Sequence, residues 1–192
     1  MSSVVAGALL AAGASRRLGH PKQLSLHRGQ PLVRLAGECV YSSRASSAAV
    51  IVGAHAGAVR AALGALPIEI LSSPDWEQGI AASIRVAVAW ADRRGSDALL
   101  LALCDQPWLN AAHLNRLIAE FERTGLPVTS HYANRNAVPA LLPRSLFGAL
   151  TELRGDSGAG RLLNDSRPVS AVPWAEGEFD VDTIEEERRL EP

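Results

Sequence analysis

Short apolar segments alternate with longer amphipathic stretches along the first two thirds of the chain. The apolar segments predict four strands, at Val4–Leu10, Ala48–Val52, Ile68–Leu71 and Asp97–Leu103. Apolar positions at helical spacing predict four helices, at Leu32–Ser43, Ala56–Leu63, Ile80–Arg93 and Ala111–Arg123. Strands that alternate with helices in this way are typical of a parallel sheet with right-handed crossovers. The near-continuous apolar run in the fourth strand indicates burial on both faces.

The alternation becomes less regular after Gly125. The remaining pattern predicts strands at Pro127–His131, Val138–Leu142, Ser170–Val172 and Glu178–Val181, helices at Ser145–Leu153 and Ile184–Leu190, and a loop at Gly155–Gly160. There is no internal repeat, low-complexity tract or linker in the sequence. We therefore predict a single domain over residues 1–192, built as a three-layer α/β/α sandwich around a mostly parallel, Rossmann-like sheet.

Composition narrows the classes of function. The 192 residues carry a formal net charge of -1, so the basic excess that is usual in proteins binding duplex nucleic acid is missing. The N-terminus has no basic region, and the apolar stretch Val4–Ala12 is too short to span a bilayer. Cys39 and Cys104 form neither a CxxC pair nor a zinc-ligand spacing. These observations predict a cytoplasmic protein with reduced thiols and no membrane or nucleic-acid partner.

The loop after the first strand collects glycines and cations. Gly13 and Gly19 flank Arg17, and Lys22 follows, all at the carboxyl end of a predicted parallel strand, where ligands of open α/β sheets bind. Glycine lets a backbone approach an anion closely, and successive N–H groups can form an anion nest. The spacing matches neither a Walker A loop nor GxGxxG. Residue types alone leave two interpretations open, a phosphate-binding loop and a solvated connection.

Two acidic segments offer ligands for a divalent cation. Asp105 lies two residues past the end of the most apolar strand. Asp180 and Asp182 lie two residues apart, so they share a face where the chain is extended. Magnesium is often held by one or two carboxylates together with substrate phosphates. The alternative for Asp105 is a turn or cap residue, and Asp182 could instead cap the helix that begins at Thr183–Ile184.

A longer motif surrounds the glycines. The segment "LAAGASRRLGHPKQL" resembles the LAAGxSxRMGxxKxL loop of glycosyltransferase-A-like nucleotidyltransferases, a group that includes the molybdenum cofactor guanylyl- and cytidylyltransferases. Leu18 stands where that pattern has methionine. The resemblance implies the nucleotide-diphospho-sugar transferase type of fold and a loop that wraps a nucleoside triphosphate. It also implies catalytic roles for Arg17, Lys22 and Asp105, and a nucleotide-binding set made of Leu10, Ala11, Ala12, Gly13, Ser15, Arg17, Lys22, Ser83 and Asp105.

Further segments extend the resemblance over nearly the whole chain. "CDQP" and "DVDTIEE" are similar to the family's metal-binding elements, which implies a metal held by Asp105 and Asp182, with magnesium expected and manganese as the alternative. "SSPDWEQGIAASI", which contains Ser83, resembles the segment that approaches the nucleotide. "VPALLP" and "LRGDSGAGRLL" resemble elements on the acceptor side, but Ala137 stands where glycine is usual and Gly160 where arginine is usual, with Arg161 next.

The resemblance also suggests a reaction. "LAAG" in place of the guanylyltransferases' "LAGG", together with Gln106, favours CTP as the substrate and the molybdenum–molybdopterin cofactor as the acceptor, with a molybdenum hydroxylase receiving the product. The alternatives are guanylyl transfer from GTP to the same cofactor, transfer to another small phosphorylated acceptor, and a carrier that binds nucleotide or cofactor without transfer. Trp76 and Trp108 are candidates for stacking on a pterin, against the alternative of ordinary packing.

Overall fold

A computed structural model describes residues 3–165 and 168–190 of the chain, the side chain of Asp165 excepted. Its strands are β1 Val5–Ala11, β2 Leu26–His27, β3 Gln30–Pro31, β4 Ser47–Val52, β5 Glu69–Ser72, β6 Ala98–Leu103, β7 Val128–Tyr132, β8 Arg135–Pro143 and β9 Ser170–Pro173. Seven of them form one sheet in the order β5-β4-β1-β6-β8-β7-β9. Only β8 runs against its neighbours β6 and β7, so the sheet is mostly parallel, as the alternating pattern predicts.

The α-helices cover both faces of this sheet. They are α1 Leu32–Tyr41, α2 Ala56–Leu63, α3 Ile80–Arg93, α4 Ala111–Thr124, α5 Phe147–Thr151, α6 Ala159–Asp165 and α7 Ile184–Glu187. Helices α1, α2 and α4 contribute to one buried apolar cluster, and α3, α5 and α6 to the other. Successive side chains of β1 alternate between the two clusters, with Leu9 in the first and Leu10 in the second. The predicted three-layer α/β/α arrangement is therefore confirmed.

Four local predictions differ from the structure. The predicted strand Glu178–Val181 is a 3-10 turn, Ala175–Glu178, followed by extended chain that is tied to the sheet edge by one backbone bond, from Val181 N to Asp105 O at 2.9 Å. The predicted loop Gly155–Gly160 gives way to α6 at Ala159, and the last helix ends at Glu187. The predicted helix Ser145–Leu153 is a 3-10 turn, Arg144–Leu146, followed by a five-residue α5.

The hairpin β2–β3 does not follow from the sequence pattern because its strands have only two residues each. Its turn is Arg28–Gly29, with both residues at positive φ, which suits the twist of a two-residue hairpin loop. Among the helices of the described residues, none combines the length and the apolarity needed to cross a membrane.

His113 is a fully buried imidazole in the first turn of α4, a helix capped by the Asn110 side chain. Arg116 donates to its Nδ1 at 3.0 Å, so the neutral ring carries its hydrogen on Nε2, 2.7 Å from Ser130 Oγ. The ring stacks on Trp174 with 4.6 Å between ring centroids. Burial, reinforced by the Arg116 charge, lowers the pKa of His113 from 6.5 to about 4.

Stability should consequently fall in mild acid. The folded-state pKa lies below the unfolded-state value, so the unfolded chain takes up the proton first as the pH drops. The contribution is fully present above about pH 6.5 and lost progressively down to about pH 4, on the order of 3 kcal/mol in total. Urea unfolding of the wild type and of His113→Gln between pH 7.5 and 4 measures it. The variant should show a flatter pH dependence, and parallel curves would contradict the assignment.

Candidate active site

A cleft of about 580 Å³ opens at the carboxyl ends of β1 and β6. Chain connections leave β1 toward β4 on one side, and β6 lies on the other, so this is the point where the strand order reverses. Every site residue that the sequence predicts lines this cleft: Leu10, Ala11, Ala12, Gly13, Ser15, Arg17, Lys22, Ser83, Asp105 and Asp182. The structure therefore brings together residues that lie up to 172 positions apart, from Leu10 to Asp182.

The loop after β1 is held in shape by Ser15 and Gln23. Ser15 has a φ of 53°, its carbonyl accepts from the backbone of Leu18 and Gly19, and its Oγ accepts from Lys22 N at 3.0 Å. Gln23 is only 1% exposed and donates through Nε2 to Ala11 O at 3.1 Å and Gly13 O at 2.7 Å. These bonds fix both ends of the loop. The sequence does not point to Gln23, since an amide beside a loop lysine has no distinctive pattern.

Two cations and two carboxylates meet on the floor of the cleft. Lys22 Nζ lies 2.5 Å from Asp105 Oδ2 and 2.7 Å from Asp182 Oδ1. Arg17 Nη2 lies 2.5 Å from Asp182 Oδ2, although most of the Arg17 side chain is exposed. Asp105 is 8% exposed, and its Oδ1 has no hydrogen-bond partner among the described residues. Lys22 and Asp105 are the most buried of these four charges, and charges at that depth are stable only when they are paired.

Titration of the cluster follows from that pairing. Burial by itself would lower the pKa of Lys22, but the contacts with Asp105 and Asp182 outweigh it and raise that pKa, so the ammonium keeps its charge. Burial opposes ionisation of Asp182, yet Lys22 and Arg17 hold the pKa of that carboxyl below its usual range. Burial and the nearby carboxylates Asp105 and Asp182 raise the pKa of Asp180.

The donor set fits a divalent cation bound together with substrate. The described residues contain no group of three or more His, Cys, Asp or Glu side chains that could hold a metal ion by itself. Asp105 and Asp182 nevertheless converge on one cation, the Lys22 ammonium, and Asp105 Oδ1 is an unused buried acceptor within the described structure. Two carboxylates supplemented by phosphate oxygens are a ligand set that magnesium accepts.

A second cavity of about 340 Å³ adjoins the cleft and shares the wall formed by Leu10, Ile80, Leu103, Asp105 and Asp180. Ala137 and Gly160, the two positions that depart from the family pattern, both line it. Gln106 also lines this second cavity and not the cleft. Its Nε2 lies 3.2 Å from both Val138 O and Tyr132 Oη, which ties the end of β6 to β8.

Comparison with known sequences identifies the family of this chain. A match to the family described as the MobA-like NTP transferase domain covers residues 7–170. The chain belongs to this family. MobA-like NTP transferases are nucleotidyltransferases, so this chain is a transferase enzyme.

Individual MobA-like relatives align with nearly the whole chain. "Nicotine blue oxidoreductase" of Paenarthrobacter nicotinovorans is 32% identical over 97% of this chain and 96% of its own. "Purine catabolism protein PucB" of Bacillus subtilis (strain 168) is 32% identical over 96% and 95%. The crystal structure of Rv0371c from Mycobacterium tuberculosis H37Rv has a TM-score of 0.83 and 34% identity, with 96% of each chain covered. A manganese complex of Rv0371C gives a TM-score of 0.80 at 30% identity, with 97% covered in both chains.

Further residues line the cleft, among them Trp76 and Asp180, which are also candidates from the sequence. Trp76, Glu77, Gly79, Asp156 and Asp180 all line it. Trp76, one of the two candidates for stacking, thus lies in the cleft. Trp108 lies elsewhere, beside a separate surface cavity, where its ring meets His27 edge-on at 4.7 Å between centroids. The two-residue spacing from Asp182 indicates Asp180 in the sequence. Asp156 has no such pattern, and it reaches the cleft because its loop packs against the start of α3.

Proposed function

We propose that this protein transfers CMP from CTP to the molybdenum–molybdopterin cofactor, with release of pyrophosphate. One observation carries the proposal. The cleft and the second cavity share a wall that includes Asp105. The cations Arg17 and Lys22 line the cleft and not the second cavity. A triphosphate in the cleft would place its phosphates against those cations and the anion-binding loop. An acceptor in the second cavity would reach the same wall from the opposite side.

The nucleotide assignment draws on three features. The "LAAG" loop differs from the "LAGG" that is usual in guanylyltransferases, and Ala12, the residue that differs, is a buried part of the cleft lining. Ser83, in the first turn of α3, presents a hydroxyl at the cleft wall, a group that hydrogen-bonds a base edge. The manganese complex of the related Rv0371C supports a divalent cation in this fold. We assign Asp105 and Asp182 as the residues that would hold it here, since both carboxylates already contact one cation, the Lys22 ammonium.

The chain's own groups are suited to phosphoryl transfer. The terminal phosphate of the acceptor is ionised at neutral pH, so its attack on the α-phosphorus of CTP needs no strong general base. Arg17 offers a planar fork to phosphate oxygens, and Lys22 a compact charge; both would neutralise the charge that develops on pyrophosphate. The loop that Gln23 fixes would hold the phosphates in position for in-line displacement. A magnesium ion on Asp105 and Asp182 would add charge neutralisation at the phosphates.

The acceptor side combines an apolar floor with one cation. Arg135 is the one lysine or arginine among the described lining residues of the second cavity, and its guanidinium lies 5.5 Å from the centre of the Tyr132 ring. Arg135 could bind an anionic group of the acceptor, a role open here because Gly160 stands where the family usually has arginine. Ala137 narrows the same cavity by one methyl group. The product would pass to a molybdenum hydroxylase.

Pyrophosphate release tests the proposal directly. Purified protein would be assayed with the molybdenum–molybdopterin cofactor and each of CTP, GTP, ATP and UTP, with and without magnesium. We expect release to need both acceptor and metal, and kcat/KM to be at least about tenfold higher for CTP than for GTP. A preference for GTP would indicate guanylyl transfer. The assay would be repeated with other small phosphorylated acceptors, and release with one of these but not with the cofactor would show that the proposed acceptor is wrong.

Thermal unfolding with the same four triphosphates, and with NADH and NADPH, provides the binding control. A ligand at a hundred times its Kd stabilises a protein by about 2.7 kcal/mol, which shifts Tm by a few degrees. Stabilisation by CTP without any transfer would favour a carrier. Stabilisation by NADH or NADPH and by no triphosphate would favour a redox role, such as the name of the Paenarthrobacter relative denotes, over nucleotidyl transfer.

A further inference from the structure

A side-chain cation lies between the two carboxylates assigned to the metal. Lys22 Nζ bridges Asp105 Oδ2 at 2.5 Å and Asp182 Oδ1 at 2.7 Å, and Arg17 engages the other oxygen of Asp182. The Lys22 side chain is 18% exposed, so these contacts lie in the floor of the cleft and not on a freely moving surface chain.

A divalent cation cannot join this arrangement without displacing part of it. Three of the four carboxylate oxygens are engaged by Lys22 and Arg17, and the fourth, Asp105 Oδ1, is buried without a partner among the described residues. An ion bound there would lie within a few ångströms of the Lys22 ammonium, at a depth where like charges repel strongly. The charge of the assigned metal site is therefore already neutralised by the chain's own side chains.

We propose that the Lys22 ammonium occupies the metal site, and that the site binds a divalent cation tightly only when a triphosphate draws Lys22 away from Asp105 and Asp182. The inference rests on the proposed function, since it takes Asp105 and Asp182 as metal ligands and a triphosphate as the group that attracts Lys22. Metal and nucleotide then bind cooperatively. By linkage each raises the affinity for the other to the same extent. The same lysine thus serves two partners in turn, carboxylates in the free protein and phosphates in the complex.

Metal binding to the nucleotide-free protein separates this proposal from a purely nucleotide-binding role. Free Mn²⁺ would be counted by electron paramagnetic resonance in titrations of the wild type and of Lys22→Met, which keeps the chain length but removes the charge. We expect Lys22→Met to bind Mn²⁺ at least about tenfold more tightly. Unchanged or weaker binding would overturn the proposal.

The matched control is Arg16→Met. Arg16 lies on the same loop and lines the same cleft, and among the described residues it makes no hydrogen bond or ion pair with Asp105 or Asp182. It should change Mn²⁺ affinity by less than about threefold, through long-range charge alone. An equal effect of both variants would show that general charge, not occupancy by Lys22, controls the metal.

Two further measurements keep the result decisive. The gain in Mn²⁺ affinity should disappear when Asp105→Asn is combined with Lys22→Met. If the double variant still binds Mn²⁺ more tightly than the wild type, the ion lies elsewhere and the inference is wrong. If Lys22→Met proves unstable, Lys22→Gln serves, with Mg²⁺ expected to raise its Tm more than that of the wild type. Failure of the proposed function appears separately, as no response of the wild type to any triphosphate.

Discussion

Asp105→Asn should lower the rate of nucleotidyl transfer by at least about a thousandfold while the protein stays folded. The amide keeps the size of the side chain and one oxygen acceptor but removes the charge that pairs with Lys22. A metal held by Asp182 alone would lose its position relative to the α-phosphate. The loss should therefore appear in kcat more than in the KM for the nucleotide. Single-turnover release of pyrophosphate at saturating CTP and magnesium measures it.

Glu77→Gln is the matched control for that variant. Glu77 lines the same cleft and carries the same charge, but its side chain is exposed and contacts neither Lys22 nor Arg17 within the described structure. Its rate should stay within about threefold of the wild type, because an exposed charge is screened by salt. If Asp105→Asn kept more than about a tenth of the wild-type rate at saturating magnesium, the assignment of Asp105 to the metal would be wrong.

The sequence predicts the regular part of the fold because local signals and tertiary structure agree there. The bounds of Ala56–Leu63 and Ile80–Arg93 match the observed helices, since each is amphipathic over its full length. The segment Glu178–Val181 misled the prediction because its alternation of polar and apolar residues is strand-like. In the structure Gly177 packs against the Trp174 and Tyr132 rings, and the chain turns there before it reaches the sheet.

The sequence likewise predicts some residues of the candidate site and misses others. The position of Asp105 can be predicted from the residues alone, since an acid that follows a buried parallel strand lies at the ligand-binding edge, but its role at a metal comes from the family resemblance. Asp182 depended on the family resemblance, because its local pattern equally suits a helix cap, and Thr183 is the residue that caps α7. Gln23 and Asp156 could not be found, since their roles come from contacts between segments that only the folded chain brings together.

Gly79 lines the cleft at a point where the start of α3 and the 155–158 loop approach each other closely. It precedes α3 with a φ of 93°, and a Cβ at this position would overlap the carbonyl group of Gly155. The same carbonyl accepts from Ala81 N at 3.1 Å, which joins the 155–158 loop to the first turn of the helix. Neither backbone can withdraw without loss of that bond. Glycine is therefore needed here for both its conformation and its size.

Gly79→Ala should accordingly destabilise the protein by about 3–5 kcal/mol, through positive-φ strain together with displacement of the loop. Gly95→Ala separates the two causes, because Gly95 also has a positive φ, of 66°, but no described atom outside its chain neighbours would lie within 4 Å of a Cβ there. That control should lose only about 1 kcal/mol. Urea unfolding of both variants measures the difference. Equal losses would mean that the 155–158 loop yields freely, and the cleft would then lack the fixed wall that in-line transfer requires.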